Sequence, residues 1–199
     1  MIRYLVVFCL GLCVLNNDSF AQSREMGVML GLMNYKGDLH QQTYDTKNNL
    51  PGLGFIYRRS YSNHWAFKAA LSYGHIKADD SQSEDPFCKN RNLNFKSSIF
   101  EGTGQFEFNF FPYQTANPST IATPYLSVGL SIFRFNPKAY YNGGYVALQP
   151  LGTEGQGTSA NPDKGLYKRT GVAFVFGGGV KWKIGRRWGV TLESVVRKT

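Results

Sequence analysis

The chain has 199 residues, enough for one domain. Its mean hydropathy of −0.30 excludes a helical membrane protein. Aromatics at 15%, 22 glycines and only 18% charged residues favour β structure, and outer-membrane barrels share that composition.

The N-terminus reads as an export signal. Arg3 supplies a positive start, and Tyr4 to Leu15 is an apolar run too short to span a membrane as a helix. Ser19-Phe20-Ala21 is a small-x-small cleavage site, so residues 1–21 are read as a signal peptide and the mature chain as starting at Gln22. Phe8 and Leu12 precede Cys9 and Cys13, whereas lipoprotein processing wants a small residue there. Cleavage leaves Cys88 without an internal disulfide partner, either a free thiol or a residue paired outside the chain.

Seven segments of the mature chain alternate with a period of two, as strands do. The first, from Glu25 to Met33, sets Met26, Val28, Leu30 and Leu32 against Glu25, Gly27 and Gly31. The second groups Leu53, Phe55, Tyr57 and Tyr61, with Arg59 on the same face and Ile56 on the other. The third sets Trp65, Phe67, Ala69, Leu71 and Tyr73 against Ala66, Lys68, Ser72 and Gly74. The fourth, from Asn92 to Phe111, changes phase near Ile99-Phe100, which predicts a β-bulge or an upper part standing clear of the membrane. The fifth sets Leu126, Val128, Leu130 and Ile132 against Ser127, Gly129 and Ser131. The sixth sets Val172, Phe174, Phe176, Val180 and Trp182 against Gly177, Gly179, Lys181 and Lys183. The seventh sets Trp188, Val190, Leu192 and Val196 against Gly189, Thr191, Glu193 and Arg197.

Connections alternate in length. Ser62 to His64, Pro112 to Pro124 and Gly185 to Arg187 are short or turn-rich, while Asn34 to Gly52, Ile76 to Asn92 and Asn136 to Arg169 are long. Outer-membrane barrels have short periplasmic turns and long outer loops, and a soluble sandwich has no reason to sort its loops this way. The inward set then includes Glu25, Arg58, Lys68, Gln105, Glu107, Lys181, Lys183, Glu193 and Arg197. Mixed signs at that density predict paired charges filling a narrow barrel, with Glu25, Lys68, Glu107, Lys181 and Glu193 as a lumen network. Bacterial barrels have an even strand number, so seven segments predict an eighth strand beyond an apparently truncated C-terminus.

Met26 to Leu39, with its Tyr35-Lys36-Gly37-Asp38-Leu39 end, and Asn92 to Glu101 continuing through Phe106 to Tyr113 resemble the PorG family. These are DUF6089-type outer-membrane barrels of Bacteroidota. The likeness continues through Pro124-Tyr125-Leu126 and Glu193 to Thr199. The resemblance implies a part in the type IX protein secretion system and gliding motility, tied to the periplasmic ring of PorK and PorN. It also implies further sequence after Arg197-Lys198-Thr199.

The residues show no catalytic pattern. There is no Gly-x-Ser-x-Gly, and His40, His64 and His75 are scattered. Asp79, Asp80, Glu84 and Asp85 crowd one loop with no calcium-loop spacing. Gly177-Gly178-Gly179 precedes no helix and cradles no phosphate; it reads as room for close approach. Tyr35, Gly37 and Asp38 follow the first segment at the outer rim, where Gly37 and Asp38 suit a built turn. Arg186 and Arg187 lie at the inner end, placed for a partner or for lipid phosphates. The net charge of +9 suits anionic lipid or an acidic partner, and no nucleic-acid motif accompanies it.

The expected molecule is therefore all-β: a small antiparallel transmembrane barrel over residues 22–199, in the outer membrane of a Gram-negative bacterium. No enzyme activity, cofactor or metal is expected. The alternatives are an outer-membrane barrel binding lipid or a small ligand, and a soluble exported lipocalin-like barrel.

Overall fold

Period-two alternation gives seven of the strands one apolar and one small or charged face, and the structure curls them into a ring with those apolar faces outward. The computed structural model describes residues 4–16, 24–36, 49–80, 86–91, 93–113, 120–141, 143–152, 165–184 and 188–199. The strands are β1 (Tyr4–Asn16), β2 (Arg24–Lys36), β3 (Leu50–Ser60), β4 (Trp65–Asp79), β5 (Asn94–Asn109), β6 (Ala122–Tyr141), β7 (Gly144–Ala147), β8 (Thr170–Ile184) and β9 (Trp188–Lys198). A short helix, α1 (Pro86–Arg91), lies between β4 and β5.

All pairings are antiparallel. The sheet runs β5-β4-β3-β2-β1-β9-β8-β6, and β5 also pairs with β6, which closes the ring at eight strands; β7 pairs only with β6. Closure removes every edge from lipid.

The eighth position differs from the expectation of a strand beyond the chain's end. Tyr4–Asn16, the segment read as a leader, stands between β2 and β9. An apolar run satisfies the backbone groups of both neighbouring edges wherever it can lie antiparallel to them. Unlike the other barrel strands, this run has no polar alternation in sequence.

The expected bulge near Ile99-Phe100 is also corrected. β5 keeps an unbroken register with β4, from Trp65 opposite Phe108 to Asp79 opposite Asn94. It keeps an equally regular one with β6. The phase of hydrophobicity changes because the lumen itself changes character along its length. Odd residues of β5 face inward throughout, meeting charges at one end (Glu107, Glu101) and an apolar cluster at the other (Ile99, Phe95).

β6 runs past the fifth alternating segment to Tyr141 and turns back into β7. Tyr141 pairs with Gly144 across a two-residue loop, and Gly143 there has φ of 85°. Glycine tolerates that positive φ at no steric cost, which suits it to a hairpin turn.

The outer wall is apolar. Leu30 is 63% exposed, Phe174 59% and Leu126 56%, while the inward-facing Glu107 and Lys181 are 0% exposed. A lipocalin would show the reverse, an apolar lumen and a wetted wall. This is the pattern of a transmembrane β-barrel.

Candidate functional site: the sealed lumen and the two barrel ends

Inward positions of β2 to β9 bring together residues far apart in sequence. Arg58 is the hub on β3. Its Nη1 donates to Glu25 Oε2 at 2.7 Å, and its Nε donates to Glu107 Oε2 at 2.7 Å. Lys181 Nζ donates to the same Glu107 oxygen at 2.6 Å and to Asn109 Oδ1 at 2.8 Å. Lys68 Nζ donates to Glu193 Oε2 at 2.7 Å and lies 3.6 Å from Glu107 Oε1. Higher in the lumen, Arg197 Nε donates to Glu101 Oε1 at 2.6 Å, and Ser72 Oγ donates to Glu101 Oε2 at 3.3 Å.

Four carboxylates (Glu25, Glu101, Glu107, Glu193) thus face four cations (Arg58, Lys68, Lys181, Arg197), all of them buried. An ion buried alone costs several kcal/mol, so a balanced set with short hydrogen bonds is the arrangement a narrow lumen tolerates. Glu101 and Asn109 were not singled out from sequence, although their odd positions on β5 mark them as inward.

The short-turn end is capped. Tyr113 is 3% exposed, with Lys183 Nζ 4.9 Å and Lys181 Nζ 5.7 Å from its ring centre. Lys181 also sits 4.2 Å from the centre of the Tyr125 ring. Thr123 Oγ1 ties down the Phe111 backbone, and Tyr113 N donates to Asn63 O at 2.9 Å. His64 Nδ1 lies 2.8 Å from Asn109 O, so this histidine latches a turn.

The long-loop end is filled by Met29, Met33, Ile56, Ile76 and Ile99, with Tyr35, Phe95, Phe133 and Phe135 packed against them. Glycines make the space. A Cβ on Gly74 would come 2.5 Å from Met33 Sδ, and one on Gly54 would come 2.6 Å from Met29 Cε. The methionines therefore lie flat on a glycine floor of β3 and β4. Unbranched thioethers suit such an irregular space. Ile56, out of phase with its segment in sequence, is buried in this plug.

Among the residues proposed from sequence, Tyr35 belongs to the plug, edge-on to Phe95 at 5.1 Å. Gly37, Asp38, Arg186 and Arg187 lie outside the described residues, as do His40, Glu84 and Asp85. Arg59, the cation on the outer face of β3, stacks over Tyr61 at 5.5 Å beside the short turns. Asp80 accepts the Leu93 backbone N–H, closing the base of its loop. The small residues of β8 are explained by proximity: a Cβ on Gly179 would meet Leu192 O at 2.1 Å. Among the described residues no group of three or more His, Cys, Asp or Glu side chains is placed to share a metal ion.

The family described as Domain of unknown function (DUF6089) matches residues 3–149. No curated protein matches the chain. Among solved structures, the chain is similar to the attachment invasion locus protein Ail of Yersinia pestis, crystallised with the heparin analogue sucrose octasulfate. Identity is 9%, with 100% of this chain and 99% of that chain covered, and the TM-score is 0.34.

Proposed function

The chain belongs to the DUF6089 family, and from that premise we propose that it is an outer-membrane component of the type IX secretion and gliding machinery, associating with a PorK/PorN-type periplasmic ring. The observation that carries this reading is the sealed lumen. Ion pairs fill one half, methionines and isoleucines the other, and Tyr113 closes the short-turn end. Among the described residues, buried side chains fill the lumen at both ends, and a barrel filled in this way acts through its surfaces, which is what an anchor does. The same filling disfavours the reading in which a lipid or small ligand occupies the interior.

Residues 1–21 are proposed to direct export and to be removed. Glu25 Oε1 and Arg197 Nη1 support this: both are buried without a hydrogen-bond partner, on the two strands flanking β1. Once the leader is gone, the edges of β2 and β9 pair with each other or with another strand, because an open edge cannot face lipid.

Affinity purification of the tagged protein from outer membranes tests both parts. Co-recovery of PorK and PorN, loss of cargo secretion on deletion, and a mature mass starting at Gln22 are expected. Normal secretion in the deletion strain removes the secretion role. A mass that includes residues 4–16 makes that segment the resident eighth strand.

A further inference from the structure

Strand register sets three lysines side by side on the outer wall. Lys77 of β4 stands opposite Lys96 of β5, and Lys96 stands opposite Lys138 of β6. Their chain neighbours Ile76 and Ser97 are buried in the lumen, so the lysines belong to the outward face. Lys96 and Lys138 are exposed and Lys77 is half-buried. Arg134, exposed on the same face of β6, stands opposite Phe100 one girdle lower. Among the described residues none of these four cations takes part in an ion pair. Asp79, the acidic residue of that face, stands opposite Asn94 rather than opposite a lysine and has a partner of its own.

Like charges directly opposite on neighbouring strands repel. Two successive Lys–Lys pairs are therefore unfavourable unless an anion sits on them. Their height says which anion. Tyr73 and Phe100 are the exposed aromatics below, and Lys77 and Lys96 lie four residues further along their strands, about 13 Å at the usual rise. Aromatic girdles mark the interface of a membrane barrel, so a cation row just beyond them stands among headgroups.

We propose that Lys77, Lys96 and Lys138 form a binding site for the phosphate of a phosphorylated glycolipid in the outer leaflet. The proposal rests on the reading of the chain as an outer-membrane barrel with its long loops outward. Lysine ammoniums are point charges that satisfy phosphate oxygens without a rigid geometry, which suits a lipid headgroup. The site lies on the wall where β6 extends furthest beyond the apolar belt. It would orient the barrel by holding lipid against one side.

The test uses the full-length barrel refolded into vesicles, with diphosphoryl lipid A and its dephosphorylated counterpart as probes. Bound lipid is read by native mass spectrometry. Wild-type protein is expected to hold the diphosphoryl form at least about tenfold more tightly. Lys96→Gln combined with Lys138→Gln is expected to weaken that form roughly thirtyfold and to leave the dephosphorylated form unchanged. Equal binding of the two forms by wild type, or an unchanged preference in the double variant, overturns the site. Heat-modifiable gel mobility on the same samples separates the two readings. A barrel that inserts without a preference refutes the lipid site alone, and a protein that fails to insert refutes the membrane reading as well.

Discussion

Replacing Glu107 by Gln is expected to destabilise the barrel by about 3–5 kcal/mol, the cost of leaving buried charge uncompensated. Glu107 is 0% exposed, and its two oxygens serve Arg58, Lys181 and Lys68. The amide keeps the shape and one acceptor but removes the negative charge those three cations share. Urea unfolding in detergent, followed by tryptophan fluorescence, measures the loss. Adding Lys181→Met to Glu107→Gln is expected to recover part of the stability, since it removes one of the stranded cations. A double variant no more stable than Glu107→Gln alone would mean that the two side chains are not coupled. An unchanged urea midpoint for Glu107→Gln would mean that the lumen is open to water.

Gly179→Ala is expected to cost at least about 3 kcal/mol, the upper range for forcing extra carbon into packed structure. The new Cβ would meet Leu192 O at 2.1 Å and Glu193 Cα at 2.9 Å. Both are backbone atoms of β9, so the clash cannot be relieved by turning a side chain. Either the β8–β9 pairing shifts, or the Lys68–Glu193 contact beside it is lost. Gly144→Ala is the matched control, because nothing lies within 4 Å of its added carbon. The folded, heat-modifiable band is expected to weaken for Gly179→Ala and to stay unchanged for Gly144→Ala. Equal yields of the two would contradict the close approach of β8 and β9.

The barrel was legible wherever one face met lipid and the other met charge. The run Leu126, Val128, Leu130, Ile132 against Ser127, Gly129, Ser131 reads directly as a strand of β6, and the charges of Glu107, Lys181 and Glu193 read directly as inward. Legibility fails where the interior stops being polar. Ile99 and Phe95 face the same lumen as Glu107 but pack on Met33 and Tyr35, so an inward apolar pair looked like a break in register. Ile56 misled for the same reason. The β6–β7 hairpin was missed although Asn142-Gly143 announces it, because Pro137 and Pro150 and the many glycines of that stretch resembled a loop. Which carboxylate pairs with which cation is not a sequence property. Arg58 reaches Glu25 on the neighbouring strand and Glu107 two strands away, while Lys68 of β4 reaches Glu193 of β9, four strands off either way round, and only the closed ring brings that last pair together.

The central claim is that the alternating apolar faces meet hydrocarbon while the charges lie sealed within. Nitroxide labels at Leu30, Leu126 and Phe174, each introduced singly through cysteine in the vesicle-reconstituted protein, test it most directly. Collisional relaxation is expected to be strong with oxygen, which partitions into lipid, and weak with a water-soluble nickel chelate at all three positions. Labels that collide freely with the nickel reagent, in a protein equally folded without any membrane, would contradict the account.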